Sequence, residues 1–333
     1  MAATIKDIRT ETGLALATIS KYLNGGNVKK ENREKIDAAV KKLDYHPNTF
    51  ARSLVTKKTK TVSFVVNDIT SQFSGILLHH AGERLREAGY SLMIYDSGHD
   101  EKREAENIRS SLEKQSDGIL LLPVTRDPKI LSPAKKEHVP VVLLDREMEK
   151  ESADCVIIDN RRAAEEAVSL LISRGHQRIS VIHSLEYTGY ERYLGYLSAL
   201  KQAGIAPDKE IERMGEKHST ELGYQSMEEL LALKDRPTAV LMTNYEISLG
   251  VIMALNEKGI RCPEEISLVG FDELILSLVM KPKMTLVAQP MEEIAAEGVR
   301  LLLKRIEDEA HAAPPQRISL SARLVEGESI RSI

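Results

Sequence analysis

The chain has little of what builds disulfide-linked or metal-stapled domains. Its 333 residues include two cysteines, Cys155 and Cys262, and no tryptophan. The two cysteines form no CxxC pair and have no neighbours at the spacing of metal ligands. These features argue against a redox pair and a zinc knuckle. We expect both thiols to be buried and reduced, and we expect no metal site.

Long apolar runs are also missing. No stretch approaches the roughly 20 apolar residues that span a bilayer, and the first twelve residues lack the apolar core of a signal peptide. The sequence therefore predicts a cytoplasmic protein with no membrane partner. Apolar residues make up 42% and charged residues 29% of the chain, an ordinary mixture for folded domains. The length predicts two or three such domains.

Several common enzyme motifs are absent. The sequence contains no GxGxxG or GxxxxGK[ST] phosphate loop and no GxSxG nucleophile turn. His79 and His80 fall in an amphipathic helical pattern without the HExxH arrangement. We therefore expect no catalytic residues, no cofactor and no enzymatic activity.

Charge is divided unevenly along the chain. Residues 1–60 carry 13 Lys and Arg against 6 Asp and Glu, whereas the remaining residues carry 33 against 44. The overall net charge of −4 hides this contrast. A basic N-terminal segment on an acidic remainder is expected when only that segment meets a polyanion such as nucleic acid.

Short helices are predicted for the N-terminal segment. Thr4 followed by Asp7 resembles a capping box at the start of the first helix, which Gly13 ends. Leu14–Leu23 and Glu31–Leu43 are the second and third helices, each with an apolar stripe at helical spacing. Helices joined by a tight turn that contains glycine are typical of a helix-turn-helix.

From Lys60 onward, apolar strands alternate with amphipathic helices. The predicted strands are Val62–Val66, Leu92–Tyr95, Gly118–Leu122, Val139–Leu144, Ile179–Ile182, Ala239–Met242 and Ile266–Val269. The predicted helices are Ile76–Ala88, Glu101–Lys114, Asp127–Lys136, Ala163–Arg174, Arg192–Ala203, Leu222–Ala232 and Ser248–Lys258. Strands that are apolar throughout indicate parallel sheets covered on both faces. The rhythm repeats after Asn160, which predicts two lobes with a ligand cleft at the carboxyl ends of their strands.

These residues resemble the LacI/GalR (lactose/galactose repressor) family over essentially the whole chain. In the N-terminal segment the resemblance rests on Thr4-Ile5-Lys6-Asp7-Ile8, Gly13, Ala17-Thr18-Ile19-Ser20, Leu23-Asn24-Gly25, Tyr45-His46-Pro47-Asn48 and Ala51-Arg52-Ser53-Leu54. In the remainder it rests on Asp117-Gly118-Ile119, Pro140-Val141-Val142, Asp145-Arg146, Asp159-Asn160, Gly175-His176, Arg178-Ile179, Arg192, Gly195-Tyr196, Val269-Gly270-Phe271-Asp272 and Gln289-Pro290.

The resemblance implies a helical DNA-binding head and an α/β sensor. The expected fold is an all-α helix-turn-helix followed by a two-lobed, periplasmic-binding-protein-like domain with parallel sheets. Residues 1–47 would bind DNA, 48–60 would form a hinge helix and linker, and 61–333 would bind effector and dimerise. The N-lobe would comprise about 61–159 and 290–320, and the C-lobe about 160–289 and 321–333.

The same resemblance implies which residues touch operator DNA. The second helix would enter the major groove, with Leu16, Ala17 and Lys21 facing base edges and Lys21 standing where arginine is usual. The short polar side chains would contact phosphates: Thr4, Thr18, Ser20 and Asn24. Asn48–Leu54 resembles the hinge helix, whose Asn48, Ala51 and Leu54 would lie in the minor groove of a palindromic operator bound by a homodimer. Leu54 would wedge between base pairs.

For the sensor, the resemblance implies a pocket for a small polar effector. The candidate residues are Asp68, Gln72, Phe73, Asp145, Asp159, Arg192, His218, Asn244 and Asp272. Ser71, Gln72 and Phe73 are expected in a loop after the first strand. Asp145, Arg192, Asn244 and Asp272 are expected where strands end or helices begin, and His218 where relatives place a stacking aromatic ring. Carboxylates, an amide and a guanidinium supply the hydrogen bonds that a polyhydroxy ligand needs. The other reading is that these polar residues cap helices and join the lobes.

Four questions stay open on the sequence. The effector is a sugar or sugar phosphate, with a nucleobase or nucleoside as the alternative. A periplasmic-type sugar receptor with no DNA role fits the sensor alone, but the basic N-terminal segment opposes it. Effector binding would act as a population shift between two states, and whether it releases or recruits the protein is open, as is dimer against tetramer.

Overall fold

The structure separates a helical unit from a unit built on two sheets. A computed structural model describes residues 3–23, 26–45, 58–149, 153–272, 279–308 and 313–333. Contacts group the chain into Met1–Thr61 and Val62–Ile333. The first unit contains helices and the second contains two six-stranded sheets with helices around them. The fold class expected from the sequence is therefore confirmed.

The described residues of the first unit contain three helices: α1 (Ile5–Thr12), α2 (Leu16–Leu23) and α3 (Lys30–Lys42). At the start of α1, the backbone N–H of Thr4 donates to Asp7 Oδ2 at 2.7 Å. Gly13 ends α1 with φ of 67°, a left-handed conformation that glycine adopts without strain. The turn after it delays the start of α2 to Leu16, two residues later than predicted. The predicted helix-turn-helix is present.

The core of the first unit draws on all three helices. Ile8, Ile19, Ile36 and Ala39 are buried together. Because these residues occupy the inner faces of the helices, the outer face of α2 stays exposed, including Lys21.

Twelve strands form the two sheets of the second unit. They are β1 (Thr61–Val66), β2 (Ser91–Asp96), β3 (Gly118–Leu121), β4 (Val141–Leu144), β5 (Asp154–Ile158), β6 (Ile179–Ser184), β7 (Glu212–Gly215), β8 (Ala239–Met242), β9 (Ser267–Phe271), β10 (Thr285–Ala288), β11 (Arg317–Leu320) and β12 (Arg323–Val325). The order is β11-β5-β4-β3-β1-β2 in one sheet and β12-β10-β9-β8-β6-β7 in the other. We name the lobes around these sheets the N-lobe and the C-lobe.

Helices cover the faces of both sheets. They are α4 (Gln72–Glu87), α5 (Glu101–Glu113), α6 (Ser132–Lys136), α7 (Asn160–Ser173), α8 (Tyr187–Gln202), α9 (Thr220–Ala232), α10 (Tyr245–Lys258) and α11 (Met291–Glu307), with a 3₁₀ turn at Pro128–Leu131. No helix in the described part of the chain combines the length and apolar character needed to cross a bilayer.

Eight of the nine described strand pairings are parallel. β12 pairs antiparallel with β10, whereas β1, β3, β4, β5 and β11 pair in parallel in the N-lobe, as do β6 to β10 in the C-lobe. The inner strands are buried along nearly their whole length, and an apolar cluster covers each face of each sheet. This burial explains the continuous apolar runs that predicted the strands.

All seven predicted strands are present, but the sequence analysis missed six elements. The missed elements are β5, β7, β10, β11, β12 and α11. β7, β11 and β12 are short edge strands whose polar residues break any apolar run. The helices predicted to begin at Ile76 and Arg192 begin earlier, at Gln72 and Tyr187, because their first turns face the cleft and lack the apolar stripe.

The polypeptide crosses from one lobe to the other three times. The chain crosses between β5 and α7, between β10 and α11, and between β11 and β12. After the second crossing, α11 packs on β3, β4 and β5 of the N-lobe. Each lobe is therefore assembled from separate stretches of sequence, and relative motion of the lobes bends three connections at once.

A buried ion pair fixes α11 to the N-lobe sheet. Arg305 Nε and Nη2 donate to Asp154 Oδ2 at 2.7 Å and Oδ1 at 2.8 Å. The Asp154 side chain is 2% exposed. The same carboxylate accepts the backbone N–H of Gln316 at 2.7 Å, just before β11. The pair thus joins α11, β5 and the segment that leads into the last N-lobe strand.

We expect Arg305→Met to lower the free energy of unfolding by about 3 kcal/mol, because it leaves the buried Asp154 carboxylate without its cation. Urea denaturation measures the loss. The control is Arg300→Met, also on α11, whose side chain is 52% exposed and whose loss is expected to stay within about 0.5 kcal/mol. Equal losses for the two variants would contradict the role of the ion pair.

Candidate functional site

The outer face of α2 carries the residues predicted to read DNA. Ala17 and Lys21 are exposed one helical turn apart, and Leu16, Thr18 and Ser20 are half-buried beside them. Thr4 is exposed at the start of α1. The remaining candidates, Asn24, Asn48, Ala51 and Leu54, lie outside the described residues. The described candidates therefore form one polar and small-residue surface on the first unit.

A second candidate site is a cavity between the N-lobe and the C-lobe. Its lining residues lie near the carboxyl ends of the parallel strands: Asn67, Asp68, Ser71, Phe73, Ser74, His99, Asp145, Arg146, Thr188, Arg192, His218, Asn244, Glu246, Asp272 and Gln289. The cavity has a volume of about 70 Å³, several times the ~10–15 Å³ that a single water occupies. It therefore has room for a small polar molecule.

Arg192 lines this cavity from α8 and is 2% exposed. Its Nε donates to Asn160 Oδ1 at 2.7 Å, and its Nη1 donates to the backbone oxygen of Thr243 at 2.6 Å. The guanidinium carbon lies 4.0 Å from the ring centroid of Phe271. Burial lowers the pKa of Arg192, while the carboxylates around it act in the opposite direction. The sequence analysis wrongly placed Arg192 at the start of a helix, since α8 begins at Tyr187.

Asp145 and Asp272 occupy matching places in the two lobes. Each follows the third strand in the order of its sheet, with φ of 66° and 73°. Each donates its backbone N–H at 2.9 Å to the neighbouring strand, to Val156 and Val287 respectively. Burial raises the pKa of both carboxyl groups. Left-handed backbone is strained for aspartate, so both side chains are aimed into the cleft by local backbone conformations that other residues adopt less readily.

Asn244 and Glu246 enter the cavity from the start of α10. Asn244 Oδ1 accepts the N–H groups of Glu246 at 2.7 Å and Ile247 at 3.3 Å, so this side chain caps the helix as well as lining the cavity. Glu246 Oε1 accepts the hydroxyl of Ser71 at 3.2 Å. Ser71 belongs to the N-lobe, and this hydrogen bond therefore crosses the cleft.

His218 is held by hydroxyl groups. Its Nε2 lies 3.2 Å from Thr188 Oγ1 and 3.4 Å from Ser184 Oγ. Burial lowers the pKa of His218 to about 3, so the ring is neutral at physiological pH. These contacts at the ring edge hold the imidazole in place. Stacking on an effector, the role that the resemblance implies for this position, stays a prediction.

Glu186 joins the two lobes at the edge of the cavity. Its Oε1 lies 3.0 Å from His99 Nδ1 and accepts Arg146 Nη1 at 3.4 Å, both from the N-lobe. Its Oε2 accepts the backbone N–H of His218 at 3.1 Å. Burial opposes ionisation of Glu186, but these partners outweigh it and lower its pKa. Glu186 is consequently an anion that holds the lobes together.

Seven of the nine predicted effector residues line the cavity: Asp68, Phe73, Asp145, Arg192, His218, Asn244 and Asp272. Gln72 does not, and Gln72 and Phe73 lie in the first turn of α4, not in the expected loop. Asp159 also lies elsewhere: its Oδ1 caps α7 by accepting the N–H of Arg162 at 3.1 Å. For Asp159 the structure therefore favours the helix-capping reading.

Sequence reasoning missed several cavity residues, among them His99, Arg146, Thr188, Glu246 and Gln289. Two of them had a usable signal. His99 follows shortly after the end of β2, and Thr188 lies in the first turn of α8, whose start was predicted too late. Strand ends and helix starts at the cleft are where such folds place ligand contacts.

Four buried polar atoms of cavity-lining residues have no hydrogen-bond partner within the described residues: Asp145 Oδ1, Arg146 Nε, His218 Nδ1 and Gln289 Oε1. Buried polar groups are normally hydrogen-bonded, and these four atoms are available to a ligand that carries both hydrogen-bond donors and acceptors. No three His, Cys, Asp or Glu side chains in the described ranges are grouped to hold a metal ion. The arrangement is suited to binding a small polar molecule.

Comparisons with known proteins match both units. Residues 4–48 match the model described as "Bacterial regulatory proteins, lacI family", and residues 168–330 match "Periplasmic binding protein-like domain". Catabolite control protein A of Priestia megaterium is 32% identical over 313 residues, which cover 93% of this chain and 94% of the relative.

Two solved structures are similar over nearly the whole chain. The complex of the transcriptional regulator CelR with cellobiose has 31% identity and a TM-score of 0.73, covering 98% of this chain and 99% of that one. The lac repressor dimer bound to operator and the anti-inducer ONPF has a TM-score of 0.87 at 23% identity, covering 99% and 100%. The second similarity establishes the fold alone.

A buried carboxyl, that of Glu104, is bonded to the loop after β3. Glu104 accepts the N–H groups of Val124 at 2.7 Å and Thr125 at 3.1 Å. Burial raises its pKa from 4.5 to about 7 although these bonds oppose the shift. Ionising Glu104 therefore costs the folded state free energy. This cost is absent below pH 4.5, grows as the pH rises, and is complete above pH 7.

At pH 5 we expect Glu104→Gln to have a lower free energy of unfolding than wild type, because glutamine offers one acceptor oxygen fewer than the native carboxyl. Between pH 5 and pH 8 we expect wild type to lose up to about 3 kcal/mol that the variant does not lose. Urea denaturation at both pH values tests this. Glu106→Gln, at an exposed position of the same helix, is the control and should follow wild type. Parallel pH profiles for wild type and Glu104→Gln would contradict the prediction.

Proposed function

Since this chain belongs to the LacI family of bacterial regulatory proteins and is a DNA-binding transcription regulator, we propose that it binds a palindromic operator as a homodimer under the control of a small sugar-like effector. The effector binds in the cavity between the lobes. The protein works in the cytoplasm, where its operator lies, and acts as a repressor without catalysing a reaction.

The observation that carries the effector proposal is the polar lining of the cavity. Asp145, Arg192 and Asp272 are each 6% exposed or less and line it from both lobes. Buried charges are costly unless they are paired or used. Asp145 Oδ1 and Gln289 Oε1, which lack partners in the described ranges, are matched by the hydroxyl donors of a sugar. That CelR was solved with cellobiose supports the same chemical class.

On the DNA side, the proposal rests on the exposed face of α2. Lys21 donates to the O6 and N7 acceptors of guanine, and Ala17 contacts a base edge without excluding it sterically. Thr4, Thr18 and Ser20 contact phosphates. Leu54 of the hinge segment intercalates in the minor groove, with Asn48 and Ala51 beside it.

The proposed dimer uses the free edge of the N-lobe sheet. β2 is the last strand of its sheet. Its Ile94 is 46% exposed, and Leu92, Met93 and Tyr95 are half-buried. An apolar edge strand invites pairing with another chain, and in a family whose lac repressor was solved as a dimer on operator a second copy is the natural partner.

Control by effector requires different affinities for two arrangements of the lobes. A ligand that contacts Asp145 of the N-lobe together with Asp272 of the C-lobe gains both contacts only when the lobes are close. Binding therefore favours the closed arrangement, and the three crossings of the chain bend with it.

Lys21→Ala tests the DNA side. We expect it to relax base preference at one position of each half-site, at a cost of about 1–3 kcal/mol. Selection from a randomised duplex library, followed by binding assays on the enriched palindrome and on its half-site, measures this. Lys41→Ala removes the same charge from an exposed position of α3 and should leave base preference intact. An identical enriched sequence for wild type and Lys21→Ala would exclude base reading by Lys21. Equal affinity for palindrome and half-site would contradict the dimer.

Asp145→Asn tests the effector site. We expect this isosteric change to weaken effector binding at least tenfold, about 1.4 kcal/mol, while operator affinity without effector is kept. Calorimetry with a sugar found by thermal shift measures binding. Asp159→Asn is the matched control, because Asp159 lies outside the cavity and asparagine also caps a helix well. If Asp145→Asn binds the effector as tightly as wild type, the cavity is not the effector site.

A further inference from the structure

The cavity carries more negative than positive charge. Four carboxylates line it, Asp68, Asp145, Glu246 and Asp272, and Glu186 lies at its edge. Against these five stand two guanidinium groups, Arg146 and Arg192. A site with this balance repels anions, and its low dielectric strengthens the repulsion.

Both guanidinium groups have partners in the protein, although Arg146 Nε is buried without a hydrogen-bond partner in the described residues. Arg192 donates to Asn160 and to the backbone of Thr243. Arg146 donates to Glu186 at 3.4 Å, and its Nε lies 3.6 Å from Asp145. An anionic ligand would have to compete for these cations with carboxylates that cannot move away from them without losing their own partners.

Glu246 adds a further carboxylate to the C-lobe wall of the cavity, and no salt bridge is formed with it in the described residues. Its side chain accepts the Ser71 hydroxyl, and both the carboxylate of Asp272 and the guanidinium of Arg192 interact with its charge. Burial raises the pKa of Glu246, and Asp272 adds to this effect. In the described part of the cavity wall, no cation forms a salt bridge with Glu246 at 4.0 Å or closer.

Acidic side chains also come from both sides of the cleft, and the charge of Asp145 acts on the ionisation of Asp272. Asp68 and Asp145 belong to the N-lobe, and Glu246 and Asp272 belong to the C-lobe. Closing the lobes brings these pairs together, and a ligand that offers hydroxyl or ammonium donors relieves the repulsion. A phosphate group would increase it, because it brings up to two further negative charges into the same space.

We propose that the cavity selects its effector by charge, accepting unphosphorylated polyhydroxy compounds, neutral or bearing an amine, and rejecting phosphorylated ones, with Glu246 as the main determinant. This rests on the proposed function, in which the cavity is the effector site. It narrows the expected effectors, because sugar phosphates are thereby excluded.

The first experiment compares matched ligands on the full-length protein. Glucose, galactose, fructose and ribose are tested against their monophosphates, and glucose and galactose also against their 2-amino forms, by thermal shift in phosphate-free buffer. Calorimetry follows for every ligand that raises Tm. We expect at least one unphosphorylated compound to bind at least tenfold more tightly than its phosphate. A phosphate that binds as well as its parent sugar, or a panel in which no unphosphorylated compound raises Tm, overturns the proposal.

Glu246→Gln supplies a test that needs no ligand. Glutamine keeps an oxygen for the Ser71 hydroxyl and removes the charge. We expect the ligand-free Tm at pH 8 to rise by about 2 °C or more, and discrimination against the phosphate of any bound sugar to shrink several-fold. Glu307→Gln, at an exposed position of α11, is the control and should change neither. An unchanged or lower Tm for Glu246→Gln would contradict the charge argument.

Asp145→Asn separates the two hypotheses. If a phosphorylated sugar binds tightly and loses affinity in Asp145→Asn, the cavity is the effector site and the charge selection is wrong. If the affinity of every bound compound is unaffected by Asp145→Asn, the effector site itself is wrong, and the charge selection falls with it.

Discussion

The sensor is organised around one buried cation, the guanidinium of Arg192. A charge this deep requires hydrogen bonds and nearby negative charge, and the chain supplies both from different stretches of sequence. Asn160, at the first crossing between the lobes, accepts a hydrogen bond from Nε, and the backbone oxygen of Thr243, just after β8, accepts one from Nη1. The ring of Phe271 covers one face of the guanidinium. These contacts tie α7, α8, β8 and β9 to one point. The positions of the cavity carboxylates depend on this point, because they must lie close enough to compensate it.

Each lobe places an aspartate at the cleft with the same local geometry. Asp145 and Asp272 follow equivalent strands, adopt left-handed φ, and donate their N–H groups to the next strand along the sheet. Strained backbone persists where surrounding structure enforces it, and it concentrates at functional sites. Here the strain turns each aspartate out of the sheet and into the cleft. An acidic residue from each lobe therefore acts electrostatically on the same guanidinium, and the cavity acquires its negative charge from the symmetry of the fold.

The sequence was sufficient for the architecture and insufficient for the details of the cavity. Inner strands such as β3 and β8 were predictable because burial on both faces requires an uninterrupted apolar run. Edge strands β7 and β12 were not, since polar residues face solvent there. Arg192 was recognised as a site residue but misplaced, because the turn before it, from Tyr187, serves the cleft and shows no apolar stripe. Glu246 was missed because one acidic residue at a helix start looks like a response to the helix dipole. Only its burial beside Asp272 reveals another role.

Contacts across the cleft determine how much free energy an effector must contribute to close the lobes. Ser71 meets Glu246, His99 and Arg146 meet Glu186, and Arg126 lies 5.2 Å from the ring centroid of Tyr187. These attractions exist between the lobes without any ligand, while the carboxylates of the cavity repel one another. The free energy of closure is therefore a difference between opposing terms within the protein, and a small difference is easily reversed. A ligand that neutralises the repulsion shifts the balance without forming many strong contacts of its own. On this view the excess of carboxylates is what makes the lobes responsive, since a cavity with balanced charge would leave the effector little to change.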